Sequence, residues 1–453
     1  MTDFNNDPDG LGSDIVVAPN QPWTDRVRYS TRGNGFAYRP RQVHCSDAGA
    51  RDAALQLIAG SSAIAIEDEF LVSSTSEFDV EFVVDELADR GLRAEPNYVL
   101  FANPLWANPL WANPLWANPL WANPLWANPV YASPVYASPV YASQFAENAY
   151  RETGVRPSLA RPSQAPRIAS LNLGGHRSTV VVLDTGIAAA TKGLLPALLS
   201  NQQHLVNAVK ADDDPPDTNP QDNYLDPVSG HGTFIAGIIE LLAPGQDLRV
   251  HRVLTSYGDG DVASIVQRLY SLRDTGVLDA QSIVNLSFGG YADTEMRSLA
   301  RAIRRIRNST KAVFVASAGN DGTDRLTYPA GLPGVVSVGA LDESGPAPYS
   351  NYGQWVRACA PGTDLVSAFY KDYDGQMSAP KVPGSSDPDH FKSWAKWTGT
   401  SFAVPIVVAA LVRHLALHGG TAEQAVAAVI DGPGLFRIPG LGTVVNLVPP
   451  VPS

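Results

Sequence analysis

A serine, a histidine and a carboxylate, each at the mouth of an apolar segment, are the residues of this chain whose types can carry out chemistry together. Ser401 lies in Gly399-Thr400-Ser401-Phe402-Ala403-Val404-Pro405, and small and apolar residues follow it to Ala416. The spacing predicts a buried helix that presents a hydroxyl at its N-terminus. There, free backbone N–H groups and the positive end of the helix dipole face whatever binds. Taken alone, a serine before an apolar run is most often only an N-cap. As a nucleophile it needs a base, and the base needs an orienting acid. His231, in Gly230-His231-Gly232-Thr233 ahead of an apolar run to Leu242, supplies the first. Asp184, closing the β-branched run 179–183, supplies the second. Together such groups perform nucleophilic attack on a carbonyl carbon, with the proton passing through the imidazole.

These side chains meet only if the elements carrying them share one edge. Apolar runs at 180–183, 250–255, 282–287, 312–317 and 335–340 alternate with helical patterns at 231–243, 261–275, 293–308 and 401–417. This alternation predicts an α/β fold, a doubly wound and mostly parallel sheet, over residues 171–453. In such sheets ligands bind outside the carboxyl ends of the strands, where Asp184 and His231 would both be offered.

Asp184-Thr185-Gly186, His231-Gly232-Thr233 and Gly399-Thr400-Ser401-x-Ala403-x-Pro405, in that order, resemble the three signatures of subtilisin-like serine proteases. The resemblance covers roughly the last two thirds of the chain. It implies that Asp184 orients the imidazole, that His231 acts as general base and then acid, and that Ser401 attacks a peptide carbonyl to form an acyl-enzyme. Ala316-Ser317-Ala318-Gly319-Asn320 resembles the segment that delivers the side-chain amide of the oxyanion hole, although Asn-Asp-Gly is also a common turn. The resemblance further implies that Ser287, Phe288 and Gly289 pair with an extended protein or peptide substrate; their own composition reads as a β-turn. No cofactor is required by this chemistry. The resemblance leaves structural calcium open, since many subtilases bind it and the carboxylates of the acidic stretch 212–226 could hold it; no ligand loop of recognisable spacing marks a site, and a solvated loop is the favoured reading.

Upstream, residues 1–22 are polar and suggest a disordered tail. Residues 23–101 predict a small α+β unit: helices at 52–59 and 78–90, strand character at 63–72 and 94–101, and a capping box from Ser76 to Asp79. This unit resembles the prodomain that precedes many subtilases. The resemblance implies that its sheet packs on the protease and its C-terminal tail lies in the substrate cleft, as folding aid and intramolecular inhibitor.

From 102 to 143 runs a tandem repeat: Ala-Asn-Pro-Leu-Trp five times, then Ala-Asn-Pro-Val-Tyr and two Ala-Ser-Pro-Val-Tyr units. A proline every fifth residue forbids a continuous α-helix and removes ladder donors from a sheet, which predicts an extended spacer. Its aromatics are costly to leave in water, so a covering surface, a recruited partner and a bait for cleavage are all open readings. Residues 144–170, with Pro157, Pro162 and Pro166, read as an exposed connector.

The chain has 453 residues and a formal net charge of -12, which argues against nucleic-acid and anionic-membrane partners. Its N-terminus lacks the features of a secretory signal, and no stretch reads as an uninterrupted membrane span. Cys45 and Cys359 are therefore expected as free thiols in a cytoplasmic protein. Arg297, Arg301, Arg304, Arg305 and Arg307 are expected to form a solvated basic face. A His-Glu-x-x-His zinc motif is absent, and the serine lacks the Gly-x-Ser-x-Gly setting of an α/β-hydrolase esterase. The remaining alternative is a binding or regulatory protein in which the aromatic repeat recruits a partner and the protease fold acts as a sensor.

Overall fold

A computed structural model of the chain describes residues 27–30, 32, 35–102, 158–159, 173, 177–189, 193–207, 210–216, 218, 225–226, 228–375 and 389–447. The expected tail at 1–22 and the repeat beyond Ala102 lie outside the described residues, as does all of the expected connector except Ser158–Leu159.

The N-terminal unit is an antiparallel sheet with two helices on one face. It runs β1 (Arg28–Ser30), β2 (Phe36–Cys45), α1 (Ala48–Leu57), β3 (Ser61–Ile66), β4 (Glu69–Ser74), α2 (Val80–Asp89) and β5 (Ala94–Ala102). β2 lies between β5 and β4, and β3 forms an edge. The helices close a core of Val43, Ala50, Ala54, Val72, Val83 and Leu87. Strand β2 has no sequence signal because Pro40 sits at its centre, and a central proline removes a ladder donor. The fold accommodates it with a register shift against β5 between Tyr38 and Val43. The capping box is corrected: the helix starts later, so Asp79 is the N-cap and accepts from the Phe82 N–H at 3.0 Å. The Ser76 N–H is instead donated to Ser74 Oγ at 3.1 Å.

The second unit follows the short β6 (Ser158–Leu159) and is wound about a parallel sheet. Its strands are β7 (Thr179–Asp184), β8 (Asp247–Arg252), β10 (Ile283–Leu286), β12 (Val313–Ser317), β13 (Val336–Asp342), β15 (Ala358–Pro361) and β21 (Gly442–Val444). In space they run β21-β15-β13-β12-β10-β7-β8, all parallel, with β20 (Arg437–Ile438) antiparallel at the edge and β14 (Gly345–Pro346) antiparallel to β13. Successive residues of β7 feed opposite cores, Val180 and Val182 on one face and Val181 and Leu183 on the other. That is the pattern of a strand buried on both sides. Helices α3 (His231–Leu242), α6 (Thr400–His418) and α7 (Ala422–Val429) supply the first face, and α4 (Val262–Asp274) and α5 (Arg297–Thr310) the second. The predicted α/β doubly wound architecture is the one found.

Strand order reverses between β7 and β10, which places the carboxyl ends of these neighbours at the crevice where such sheets bind ligands. Two short strands, β9 (Asp259–Asp261) and β11 (Phe288–Gly289), stand at that crevice outside the main sheet. Three further strands, β16 (Leu365–Ala368), β18 (Asp389–Phe391) and β19 (Trp394–Trp397), precede α6, with β17 (Tyr373–Gly375) paired to β18. β6, within the expected connector, pairs antiparallel with Ala395 and Lys396 of β19.

The two units are joined through β5. Its first half pairs with β2, while residues 99–102 pair antiparallel with β9 on one side and β11 on the other. The arginine face of α5 is corrected accordingly, because acidic residues of the N-terminal unit cover much of it. Arg301 Nη1 lies 2.9 Å from Glu69 Oε1, and Arg305 makes a two-pronged contact to Asp68 at 2.6 and 2.8 Å. One helix, Thr400–His418, does have the length and mean hydropathy of a membrane span, 19 residues and 1.8. It is the central core helix, with 78% of that apolar window buried.

Candidate active site

Asp184 ends β7 and His231 begins α3, and 2.7 Å separates Asp184 Oδ1 from His231 Nδ1. A carboxylate only accepts, so the imidazole hydrogen is assigned to Nδ1 and the lone pair to Nε2. Asp184 Oδ1 also accepts the Thr185 N–H at 2.8 Å. His231 is fully buried, and Nε2 has no hydrogen-bond partner among the described residues. The ring stands edge-on to Trp397 at 5.5 Å and tilted against Phe402 at 5.2 Å. Gly230 makes this start possible: its φ is 82°, and a Cβ there would come within 2.2 Å of the Phe369 ring.

Ser401 is the second residue of α6, and Phe402, whose ring touches the imidazole, follows it directly. Its hydroxyl donates to the Ser287 carbonyl at 2.9 Å, and Ser287 Oγ donates back to the Ser401 carbonyl at 2.8 Å. The second bond has a cause in the sequence. Pro405, four residues on, has no N–H to satisfy that carbonyl, so an outside donor must. Asn285 Nδ2 in turn donates to Ser287 Oγ at 2.9 Å, tying the end of β10 to the start of α6.

Asn320, on the loop after β12, accepts from the Thr400 N–H at 3.0 Å and from Thr400 Oγ1 at 2.8 Å. Because a backbone N–H can only donate, Oδ1 is fixed on Thr400 and Nδ2 is aimed elsewhere. Thr400 N–H is one of the donors a helix start leaves open. Ser287, Phe288 and Gly289 are buried, and the last two form β11, paired with Ala102 and Phe101 of this same chain.

One residue escaped sequence reasoning. Asp214 is fully buried, and its Oδ2 accepts from Thr185 Oγ1 at 2.6 Å and from the Gly230 N–H at 2.8 Å. It thus clamps the residue after Asp184 to the residue before His231. Burial pushes its carboxyl up to about 8. In the sequence it was one carboxylate among several, and nothing in its spacing set it apart. The expectation of a solvated acidic loop is corrected with it. Asp212 and Asp226 are also buried, the first bonded to the Arg252 N–H and the second accepting from Thr218 and Ser256. Burial sets their surroundings, with the Arg252 N–H and His251 at Asp212 and serine and threonine hydroxyls at Asp214 and Asp226. Among the described residues no group of three or more His, Cys, Asp or Glu could hold a metal ion. Both cysteines are buried and unpaired, and burial pushes each thiol up to about 12.

Residues 175–431 match the model of the Subtilase family, Peptidase_S8. The chain is 34% identical over 181 residues to a thermophilic serine proteinase of Bacillus sp. (strain AK1), covering 36% of this chain and 43% of that protein. It is 30% identical over 275 residues to an intracellular serine protease of Paenibacillus polymyxa, covering 58% of this chain and 73% of that one. The solved structure of a cold adapted subtilisin-like serine proteinase aligns over 62% of this chain and 94% of that chain, at 22% identity and a TM-score of 0.44. The first relatives are matched over about half of their own length, 43% and 45%. With the family model spanning more than half of its residues, the chain belongs to the Subtilase family.

Proposed function

We propose that this chain is a serine endopeptidase that cleaves proteins or peptides through an acyl-enzyme at Ser401. The observation that carries the reading is the buried Asp184–His231 bond, with Nε2 left open beside the helix start that holds Ser401. In this mechanism Ser401 Oγ leaves the Ser287 carbonyl by rotating about χ1 and attacks the substrate carbonyl while His231 Nε2 takes its proton. Asp184 stabilises the imidazolium without itself taking the proton. The oxyanion is met by the Ser401 N–H and by Asn320 Nδ2, a fixed donor worth about 3–4 kcal/mol in such sites. The imidazolium then protonates the leaving amine, and water releases the acyl group by the reverse sequence.

Residues 23–101 serve as an inhibitory domain and 171–453 as the peptidase. Support comes from β5, which fills the strand-accepting edge of β11, and from the complete burial of Ser401 and His231. Substrate binds by the same strand addition once β5 is displaced. Incubation of the full chain with casein tests the activity. The wild type is expected to release fragments and Ser401→Ala none; equal digestion by the two would overturn the assignment.

A further inference from the structure

The strand held between β9 and β11 is itself the first copy of the tandem repeat. Read from Leu100, the sequence is Leu100-Phe101-Ala102-Asn103-Pro104, then Leu-Trp-Ala-Asn-Pro five times from Leu105, then three Val-Tyr-Ala-Ser units ending at Ser143. The described part, Leu100 to Ala102, shows what each position meets. Leu100 and Ala102 face the peptidase unit and join the cluster of Val228, Leu254, Val262 and Phe288. Phe101 faces the other way and packs with Val27, Ala37 and Val99 under Tyr29. Leu100 sits against Gly290, where a Cβ would come within 2.8 Å of its Cδ2. Ala102 lies close to the Gly258 backbone and donates its N–H to the Gly258 carbonyl at 2.8 Å. The groove thus accepts a branched aliphatic residue, an aromatic on the outer side, and then an alanine.

Every later unit repeats that order. Leucine or valine stands first, tryptophan or tyrosine second, and alanine third without exception. Backbone pairing reads no side chains, so the alternate side chains are what a competing strand must match. We propose that the units from Leu105 to Ser143 are further ligands for the β9–β11 groove, each able to replace Leu100–Ala102 when that segment leaves it. The tether makes each replacement intramolecular, and the cost of closing a longer loop grows only with the logarithm of its length. The aromatic of the incoming unit then covers the same outer surface as Phe101. The repeat keeps the groove filled through repeated openings of the first strand. This builds on the reading of the groove as the site of the substrate strand, and does not depend on Ser401 being a nucleophile.

Hydrogen exchange of the full chain, followed by mass spectrometry at residues 259–261 and 288–289 in a Ser401→Ala background, tests it without reference to catalysis. Four forms are compared: the parent, Leu100→Asp with Ala102→Asp, residues 105–143 replaced by a Gly/Ser linker of equal length, and both changes combined. The parent and the two single forms are expected to stay protected, and the combined form to exchange about a hundredfold faster. A ten-residue peptide, Leu-Trp-Ala-Asn-Pro twice, is expected to restore protection to the combined form, and the same peptide with aspartate at its leucines and alanines is not. Full loss of protection in the Leu100→Asp, Ala102→Asp form alone would overturn the proposal. So would retained protection in the combined form, or failure of the peptide to restore it.

Discussion

The N-terminal unit touches the peptidase unit in two regions that work by different physics. In the groove, residues 99–102 are held between β9 and β11 by backbone pairing, and Leu100 and Ala102 are the side chains that must fit it. On the flank, and at the carboxylates of β9 itself, contact depends on named side chains. Glu95 accepts from the Arg297 and Ser298 N–H groups at 3.0 and 2.9 Å, capping the start of α5. Buried Arg39 reaches Asp259 at 2.8 Å and Asp261 at 3.4 Å, and Asn97 bonds both Asp261 and the Ala263 N–H. A groove built on backbone pairing admits more than one extended strand, provided its alternate side chains fit. A flank that reads side chains admits one partner.

If the groove is the chemical region, the largest effect falls there. His231→Ala is expected to lower peptide hydrolysis about a millionfold, as loss of a triad base does, with the fold unchanged by circular dichroism. On the flank, Arg39→Ala leaves two buried carboxylates without their cation, a change that costs about 3–5 kcal/mol. It is expected to lower the thermal midpoint and to speed active-site labelling, whereas a surface change such as Arg304→Ala does neither. Asn320→Ala returns to the groove: kcat is expected to fall about 10²- to 10³-fold with KM nearly unchanged.

The smallest effect is the response of the flank to pH. Burial, with the Arg301 charge adding to it and Asp261 opposing it, pushes His44 down to about 4, so its contribution to docking is lost as pH falls from 6.5 to 4. Burial, with Glu69 adding to it and the Arg297 and Ser298 N–H groups and Arg297 charge opposing it, raises Glu95 to about 7. Its contribution is present below 4.5 and lost as pH rises to 7. The two slopes oppose each other across their shared window, and the wild type is expected to show little change in thermal midpoint between pH 5 and 6.5. His44→Gln should leave a midpoint that falls with rising pH, and Glu95→Gln one that falls with acid. A flat profile in both variants would remove these groups from the flank's pH response.

Much of the peptidase fold was legible because its signals are local. Strand 179–184 is a β-branched run, and α6 is apolar for longer than any strand could be. The groups at Asp184, His231 and Ser401 stood at the ends of such segments, where side chains of different elements meet at one rim of the sheet. What was hidden depended on distant partners. The arginines of α5 read as solvated because Asp68 and Glu69 lie more than two hundred residues away in sequence. Asp214 acts by joining two loops that only the fold brings together. β2 was masked by its own proline, and the match between Leu100–Ala102 and the repeat gains meaning only once that strand is seen in the groove.

The central claim is that His231 activates Ser401. Reaction of the Arg39→Ala full chain with a fluorophosphonate, followed by peptide mapping, tests it most directly. The account predicts one adduct, on Ser401, which disappears when His231→Ala is added. An adduct on another residue, or undiminished labelling of Ser401 without the imidazole, would contradict it.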